Sequence, residues 1–280
     1  MVKITKRSVF IIATLLVLLL LILFANQAGK VTVSDLDMSG VEDAQEKKAR
    51  FFNFMRPVIV AENQKVEQQR EQIIKAQQEG DNRFINKMRV EYKLKEGASS
   101  ADLLKRVDTV PLDLALAQSA NESMWGQSRF AQDANNMFGQ WCFTKGCGMV
   151  PGKRDAGATH EVQTYSSVNA SVASYIYNLN TTGAYQQLRD IRAQLRSQGK
   201  PVTGMALAPG LLKYSERGQA YVDEIQSMIR VNDALKQTTP RKNISPPKLT
   251  AALNSFRWRI FYIFWPTRNT SPYATRMVKC

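Results

Sequence analysis

The 280-residue sequence has one histidine, three cysteines and no acidic residue after Pro240. The one histidine, His160, cannot build a histidine-rich zinc site, and no G-x-S-x-G elbow accompanies it to suggest a Ser-His-Asp triad. Three cysteines are too few for a zinc ribbon. The glycines of KGCGMVPG match neither a P-loop nor a dinucleotide-binding fingerprint. We therefore expect no metal and no cofactor, and carboxylate chemistry remains as the catalytic option.

Positive charge is concentrated at the two ends of the chain. The formal net charge is +14, and eight Lys or Arg residues follow Pro240 while Lys3, Lys6 and Arg7 precede the first apolar run. The middle of the chain is therefore nearly balanced. Basic flanks of this kind are typical of contact with membranes or other anionic surfaces, so we expect no nucleic-acid partner.

An apolar run, residues 9–25, predicts an N-terminal transmembrane helix. Seventeen helical residues span about 25 Å, at the short end for a bilayer crossing. The preceding positive charge places the N-terminus in the cytoplasm. The alternative is a cleaved signal peptide, although its only nearby cleavage site, Leu23-Phe24-Ala25, is weak. The first interpretation anchors the protein in the inner membrane with its body in the periplasm, and the second secretes the body to the periplasm.

The rest of the chain divides by composition. We expect a linker over 26–40, a helical extension over 41–100, a catalytic domain over 101–236 and a basic, aromatic tail over 237–280. In the extension, Pro57 should kink or split a helix, and the Gln- and Glu-rich stretch 62–79 is typical of a solvated helix.

The tail contains FRWRIFYIFWPTR, residues 256–268. This segment is too short to span a bilayer, but its arginines and aromatic rings suit the membrane interface. Packing back onto the domain is the alternative.

The central region predicts a mainly helical domain with a small β-element. A helix begins at Pro111 and stops near Gly126, a second short helix is expected over SRFAQDA, and the residues after it are expected to form a loop as far as Gly152. Residues 159–166 form the best β-segment, one arm of a hairpin. A helix follows, with Ser166 or Ser167 as its N-cap, and two further helices complete the region.

Glu122 has the setting of a general acid. It lies in the last turn of its predicted helix, where the macrodipole disfavours a negative charge. Small residues precede it and Met124 and Trp125 follow it, so enclosure of the carboxyl would raise its pKa further. A carboxyl that keeps its proton near neutral pH can protonate a glycosidic oxygen.

The residues around Glu122 form a more specific pattern. E-S-x-W-G-x-S-x-x-A, followed by N-N-x-F-G, resembles the glucosaminidase branch of the lysozyme-like superfamily, the peptidoglycan-cleaving enzymes of the flagellar-muramidase type. The resemblance covers about residues 100–235. It is carried by Glu122-Ser123, Trp125-Gly126, Ser128, Ala131, Asn135-Asn136, Phe138-Gly139, Tyr165-Ser166-Ser167 and KYSERGQAY. The last segment resembles the family's Y-A-T-D-P-x-Y, with one additional residue between its tyrosines.

Within that branch the sequence is most similar to the Bax-type subgroup of exported bacterial proteins. The shared features are the upstream helices, the VDTVP-like entry to the catalytic helix, the spaced cysteine pair and the Asn-Leu-Asn turn. The resemblance implies a lysozyme-like α+β domain, mainly α, with a small β-hairpin beside a sugar groove.

The resemblance also implies residue roles. Glu122 would donate the proton to the glycosidic oxygen, and Tyr214 would face the reaction centre unless it is a core tyrosine with a satisfied hydroxyl. Tyr221 is expected beside the substrate, although its helical register with Ile225 favours the core.

The second catalytic group is less defined by the sequence. Glu161, on the predicted hairpin, is the best-placed general base, and Asp155 is the runner-up. If no base is needed, the 2-acetamido group of the substrate would act as the nucleophile.

Four further residues complete the expected site. Trp125, Asn136 and Trp141 are expected to line the substrate groove, with Trp125 also suited to the core and Asn136 to fixing a loop. Phe138 is more suited to the core.

Cys142 and Cys147 are expected to form a disulfide in an oxidising compartment, the alternative being two reduced, buried cysteines.

These observations predict an endo-β-N-acetylglucosaminidase that cleaves peptidoglycan glycan strands after N-acetylglucosamine. A lytic transglycosylase or muramidase of the same superfamily is the first alternative. A non-catalytic cell-wall binding protein is the second. Nothing in the sequence indicates a protein partner.

Overall fold

The computed structural model describes residues 29–152 and 157–232. The predicted anchor 9–25, Asp155 and the segment 256–268 lie outside these ranges. Within them, no helix combines the length and the apolar character that a membrane crossing needs.

The described residues form a helical domain with one small sheet, as the sequence predicted. The helices are α1 (Ala44–Glu79), α2 (Asn82–Glu91), α3 (Ser100–Arg106), α4 (Leu112–Ser123), α5 (Arg129–Ala134), α6 (Val168–Thr181), α7 (Gln186–Ser197), α8 (Gly204–Leu207) and α9 (Gln219–Val231). Short 3-10 turns cover Val33–Asp35, Gly183–Tyr185 and Ala208–Leu211. The strands are β1 (Trp141–Cys142), β2 (Gly148–Met149) and β3 (Glu161–Gln163).

The sheet has the strand order β1-β3-β2, and both pairings are antiparallel. Cys142 lies opposite Glu161, and Gly148 lies opposite Gln163. The predicted β-segment is confirmed as β3. The prediction of a loop between α5 and Gly152 was wrong for β1 and β2, because strands of two residues are too short to show an alternating pattern.

Helix α4 occupies the centre of the core. Its residues Leu114, Ala115, Leu116, Ala117 and Ala120 have no exposed surface. Helices α1 and α9 pack against it, and α6 packs against α1. Small side chains on α4 allow these neighbours to approach closely, which explains the run of alanine and serine that precedes Glu122.

Helix α1 runs without interruption through Pro57. Of the two outcomes expected at this proline, the split was wrong and the kink stays a prediction. Pro57 and Asn53, one turn earlier, both face solvent, so water can satisfy the carbonyl that the proline leaves without a partner. On the opposite face, Phe51, Phe52 and Met55 are buried in the same core as α4. The core therefore crosses the division expected at residue 100.

A second, smaller core lies at the far end of α1. Ile73 and Ala76 pack there against residues of α2 and α3, including Met88 and Leu103. The stretch 62–79 was expected to be solvated, and this expectation fails for Glu62, Ile73 and Ala76, which are buried. The apolar residues of this stretch are too sparse to reveal a packed face.

A buried ion cluster fixes the entry to α4. Asp108 is 1% exposed and accepts a hydrogen bond of 2.6 Å from Arg196 Nε. Arg192, which is fully buried, lies 3.5 Å from the same carboxylate and donates to the carbonyl of Thr109. Burial lowers the pKa of Arg192 to about 10, and Asp108 opposes that shift. The cluster ties α7 to the segment that leads into α4.

Helix α6 matches its prediction closely. Ser167 is the N-cap, and its hydroxyl accepts a hydrogen bond from the backbone N–H of Ala170. The predicted face of Val168, Val172, Tyr175, Ile176 and Leu179 is buried. This face supplies Tyr175 to the site described next.

Candidate active site

Glu122 lies at the C-terminal end of α4, half-buried, and the chain turns sharply directly after it. Three consecutive residues adopt left-handed backbone conformations, Met124 (φ 52°), Trp125 (φ 61°) and Gly126 (φ 78°). Two of these three are not glycine, which is an uncommon arrangement that the surroundings must hold in place.

Ser123 and the packing of Gly126 hold this turn. The Ser123 hydroxyl donates to the carbonyl of Ser119 at 2.6 Å and accepts from the N–H of Gly126 at 2.8 Å. A Cβ at position 126 would lie 2.5 Å from a methyl group of Leu36. A glycine is therefore required there for space as well as for conformation, and the turn fixes where the Glu122 side chain emerges.

A chain of buried hydrogen bonds reaches Glu122 from inside the core. The Tyr221 hydroxyl donates to Glu122 Oε1 at 2.7 Å. Gln118 Nε2 donates to the Tyr221 hydroxyl at 2.9 Å, and Gln118 Oε1 accepts from the Tyr175 hydroxyl at 2.7 Å. Gln118 and Glu122 are four residues apart on α4, so both face α9. The acid is thus held by side chains from α4, α6 and α9.

Tyr214 and Tyr221 are both buried, but only Tyr221 has a hydrogen bond to Glu122 among the bonds described. Their rings stack in parallel with centroids 5.4 Å apart. The Tyr214 hydroxyl donates to the carbonyl of Phe138 at 3.0 Å. This is the core arrangement considered for Tyr214, and its expected place facing the reaction centre stays a prediction.

The negative charge of Glu122 acts on four buried tyrosines. Burial raises the pKa of the phenols of Tyr175, Tyr185, Tyr214 and Tyr221 above the ordinary value, and the negative charge of Glu122 adds to that shift in each. These phenols therefore remain neutral at physiological pH.

The opposite side of the carboxylate lies against the loop before β1. A Cβ at Gly139 would lie 3.2 Å from Glu122 Oε2, and Gly139 has a left-handed backbone (φ 61°). Asn136 holds this loop: its Nδ2 donates to the carbonyls of Gln140 and Gln163, and its Oδ1 accepts from the N–H of Gln140. Asn136 is 1% exposed, so of its two expected roles the structure shows loop fixation.

Glu161 is held by backbone groups of the disulfide loop. It is 5% exposed, and its Oε1 and Oε2 accept hydrogen bonds from the N–H groups of Gly146 and Gly148 at 3.0 and 2.9 Å. Cys142 and Cys147 are joined in a disulfide that closes the same loop, as expected. Glu161 as general base stays a prediction, because the described contacts show only its structural role.

Cys142, Cys147 and Glu161 form the one group of potential metal ligands in the described ranges. Ligand atoms of Cys142, Cys147 and Glu161 lie within 4.8 Å of one another. Two of these ligands are sulfur atoms joined to each other, and a disulfide does not offer the thiolate that zinc prefers. The group therefore fits a structural role.

The tryptophans have different environments. Trp125 packs edge-on against Phe51 and Phe52 of α1, with ring centroids 5.7 and 5.4 Å away. Trp141 is half-buried on β1 and stacks on His160, with ring centroids 3.9 Å apart. Trp125 thus has the core contacts considered for it, and the groove role of Trp141 stays a prediction.

Sequence reasoning did not identify Gln118 and Tyr175 as part of the site. The signal for Gln118 was present, since it is a polar residue one helical turn before Glu122 in an otherwise small and apolar helix. Tyr175 was predicted as core, and nothing in its helical spacing reveals where its hydroxyl points.

Comparisons with known proteins identify the family of the chain. Residues 98–234 match the Glucosaminidase family model, described as mannosyl-glycoprotein endo-beta-N-acetylglucosaminidase. The chain is also 31% identical over 209 residues to the protein Bax of Escherichia coli (strain K12), an alignment that covers 71% of this chain and 74% of that protein. No solved structure was found to match.

Proposed function

The chain belongs to the Bax-type glucosaminidases, and from this premise we propose that it is a peptidoglycan hydrolase, an endo-β-N-acetylglucosaminidase with Glu122 as its general acid. The observation that carries the proposal is the placement of Glu122. It lies inside the matched region, at the end of a fully packed helix, with its Oε1 held by Tyr221 and its Oε2 beside Gly139.

In the proposed reaction, Glu122 donates its proton to the oxygen of the scissile glycosidic bond. The bond to C1 of N-acetylglucosamine then breaks, and positive charge develops on the ring as an oxocarbenium-like transition state. A second catalytic group, either Glu161 or the 2-acetamido group of the substrate, must then complete the reaction. Water finally supplies the new hydroxyl at C1.

Two routes complete it, and Glu161 distinguishes them. In the first, the Glu161 carboxylate removes a proton from the attacking water. In the second, the 2-acetamido oxygen attacks C1, and water opens the resulting ring. The first route needs the Glu161 charge at the reaction centre, whereas the observed bonds from Gly146 and Gly148 support the second by engaging that charge in the loop. Glu161→Gln should abolish turnover in the first route and leave it within a few-fold in the second.

The cellular setting is also a proposal. We propose that residues 9–25 anchor the chain in the inner membrane, or are removed as a signal peptide, and that the body lies in the periplasm. The Cys142–Cys147 disulfide supports an oxidising compartment. Residues 256–268 are proposed to contact the membrane interface. Membrane fractionation with N-terminal sequencing of the mature protein separates anchor from signal, and a version without 256–268 tests the tail.

The activity is tested by digesting purified sacculi with the full-length chain and with Glu122→Gln. We expect soluble fragments with N-acetylglucosamine at the reducing end, and a loss of about 10²- to 10⁴-fold in the variant. Glu71→Gln, at an exposed position on α1, is the matched control and should keep full activity. A high-mannose glycoprotein serves as the second substrate, since the description of the family model names that class.

The products decide between the proposal and its alternatives. A 1,6-anhydromuramic end would indicate a lytic transglycosylase, and a reducing muramic acid would indicate a muramidase. Binding to sacculi without release by the wild-type chain would indicate a cell-wall binding protein. Equal release by wild type and Glu122→Gln would remove Glu122 from the mechanism.

A further inference from the structure

We propose that the buried chain Tyr175–Gln118–Tyr221 determines which oxygen of Glu122 carries the catalytic proton. The chain keeps Oε1 as a hydrogen-bond acceptor in both protonation states and assigns the proton to Oε2, the oxygen beside Gly139. The inference rests on the proposed function, in which Glu122 is the acid, and it makes Gln118 and Tyr175 positioning residues.

The direction of every bond in the chain follows from the number of hydrogens available. An ionised carboxylate only accepts, so the single hydrogen of the Tyr221 hydroxyl is donated to Glu122. The Tyr221 oxygen then accepts from Gln118 Nε2, which turns Gln118 Oε1 towards the hydroxyl of Tyr175. Each link thus fixes the direction of the next.

Burial keeps this direction fixed. Gln118 and Tyr175 have no exposed surface, and Tyr221 is 1% exposed. Water therefore cannot readily offer alternative donors or acceptors to the chain. Reversal of one link would require reversal of all of them, or would leave a buried polar atom without its partner.

The two possible positions of the proton are consequently unequal. A proton on Oε1 either points at the Tyr221 oxygen, so that the Tyr221 hydrogen loses its acceptor in the core, or it leaves Tyr221 donating to an acid O–H oxygen, which is a weaker acceptor than a carbonyl oxygen. A proton on Oε2 leaves all three bonds of the chain intact. A lost bond to a buried group favours the second form by about 10- to 100-fold.

Gly139 fits this assignment. Any larger residue at 139 would place its Cβ 3.2 Å from Oε2, against the oxygen that must deliver the proton. The left-handed backbone of Gly139 gives a second reason for glycine at this position.

The groups that interact with the charge of Glu122 do not change this assignment with pH. Among the described residues they include the phenols of Tyr175, Tyr185, Tyr214 and Tyr221 and the guanidinium of Arg217, which also pairs with Glu224. The phenols stay neutral and Arg217 stays charged throughout the pH range of the experiment, so pH effects report on Glu122.

The test compares Tyr175→Phe with Tyr185→Phe in the full-length chain. Tyr175→Phe removes the first donor of the chain and keeps the ring that stacks on Phe138 at 3.9 Å. Tyr185 is equally buried and belongs to the same aromatic group, but its hydroxyl has no hydrogen-bond partner within the described residues, which makes it the matched control.

We expect Tyr175→Phe to lower kcat about 3- to 10-fold with KM unchanged, because the proton is then shared between the two oxygens. The alkaline limb of the pH profile should move to higher pH, since donors that favour the charged carboxylate are weakened. Tyr185→Phe should leave both readouts at the wild-type values.

Isotope-edited infrared spectroscopy gives a readout that does not depend on turnover. The carboxylic C=O band of protonated Glu122, assigned by its loss in Glu122→Gln, should lie at the low frequency of a carbonyl that accepts a hydrogen bond. It should rise in Tyr175→Phe and in Gln118→Met, the second variant if the first folds poorly. Failure of the proposed function would abolish the difference between Glu122→Gln and wild type in activity while leaving this spectrum unchanged.

Two results would overturn the inference. One is a wild-type C=O band at the frequency of a carbonyl without a hydrogen bond. The other is the same response of Tyr175→Phe and Tyr185→Phe in the spectrum and in the pH profile, with both variants folded by circular dichroism.

Discussion

The two carboxylates of the site are held in contrasting ways. Glu122 is oriented by side chains from three helices that meet in the main core. Glu161 is oriented by backbone N–H groups of a loop that a disulfide closes. The first carboxylate is therefore coupled to the packing of the whole domain, and the second is coupled to one local covalent closure.

This difference predicts how far the effect of a substitution should extend through the domain. A change that disturbs the core should weaken the global stability and displace Glu122 together. A change in the disulfide loop should reach Glu161 and the sheet, and should leave the chain of tyrosines behind Glu122 in place. The three predictions below separate these two outcomes.

The largest effect is expected for Phe138→Ala. Phe138 is fully buried, stacks on Tyr175 and offers its carbonyl to Tyr214. Its truncation should cost about 3–5 kcal/mol of unfolding free energy in urea and should also lower activity, because Tyr175 loses its support. Phe143→Ala, at a 43% exposed position in the disulfide loop, is the control and should cost well under half as much. Equal losses in the two variants would show that the helical interior has no special role.

A smaller effect is expected for the double variant Cys142→Ser/Cys147→Ser. Opening this short loop should cost about 2 kcal/mol of unfolding free energy, chiefly by freeing the unfolded chain. Dithiothreitol should lower the Tm of the wild type and leave that of the variant unchanged. A change in the infrared band of Glu122 in this variant would show that the hydrogen bond to Glu122 is also lost. That result would contradict the separation of the two regions.

The smallest effect is expected for Glu161→Gln. The amide keeps the shape of the side chain but turns one of its two acceptor oxygens into an NH2 donor, so one of the two loop N–H groups loses its acceptor and about 1 kcal/mol should be lost. In double-mutant cycles this loss should couple to the cysteine variant, which opens the same loop, and should add independently to that of Phe138→Ala. Coupling to Phe138→Ala instead would join the two regions into one unit.

Part of this arrangement was accessible from the sequence because its signals are local. Pro111 and the apolar spacing located α4, Ser167 identified the start of α6, and the cysteine pair indicated the disulfide. Each signal depends on neighbours in the chain. The position of Glu122 at a helix end followed from the same local pattern.

The remainder depends on contacts between distant segments. Helical register shows which face a residue occupies, but not which hydroxyl reaches the acid, so the bond from Tyr221 to Glu122 was not predicted. The continuity of α1 through Pro57 depends on solvent at one face and on core packing at the other. Gln118 was overlooked because its partners, Tyr175 and Tyr221, are 57 and 103 residues away.

Helix α1 also extends the folding unit beyond the segment that matches the family model. The family match begins at residue 98, but Phe51, Phe52 and Met55 fill the core around α4 and support Trp125. A recombinant fragment cut at residue 98 would expose that aromatic contact surface to water and leave a cavity beside α4. In evolutionary terms, the extension and the matched segment share one interior, so a substitution in one is tolerated only if it still packs against the other.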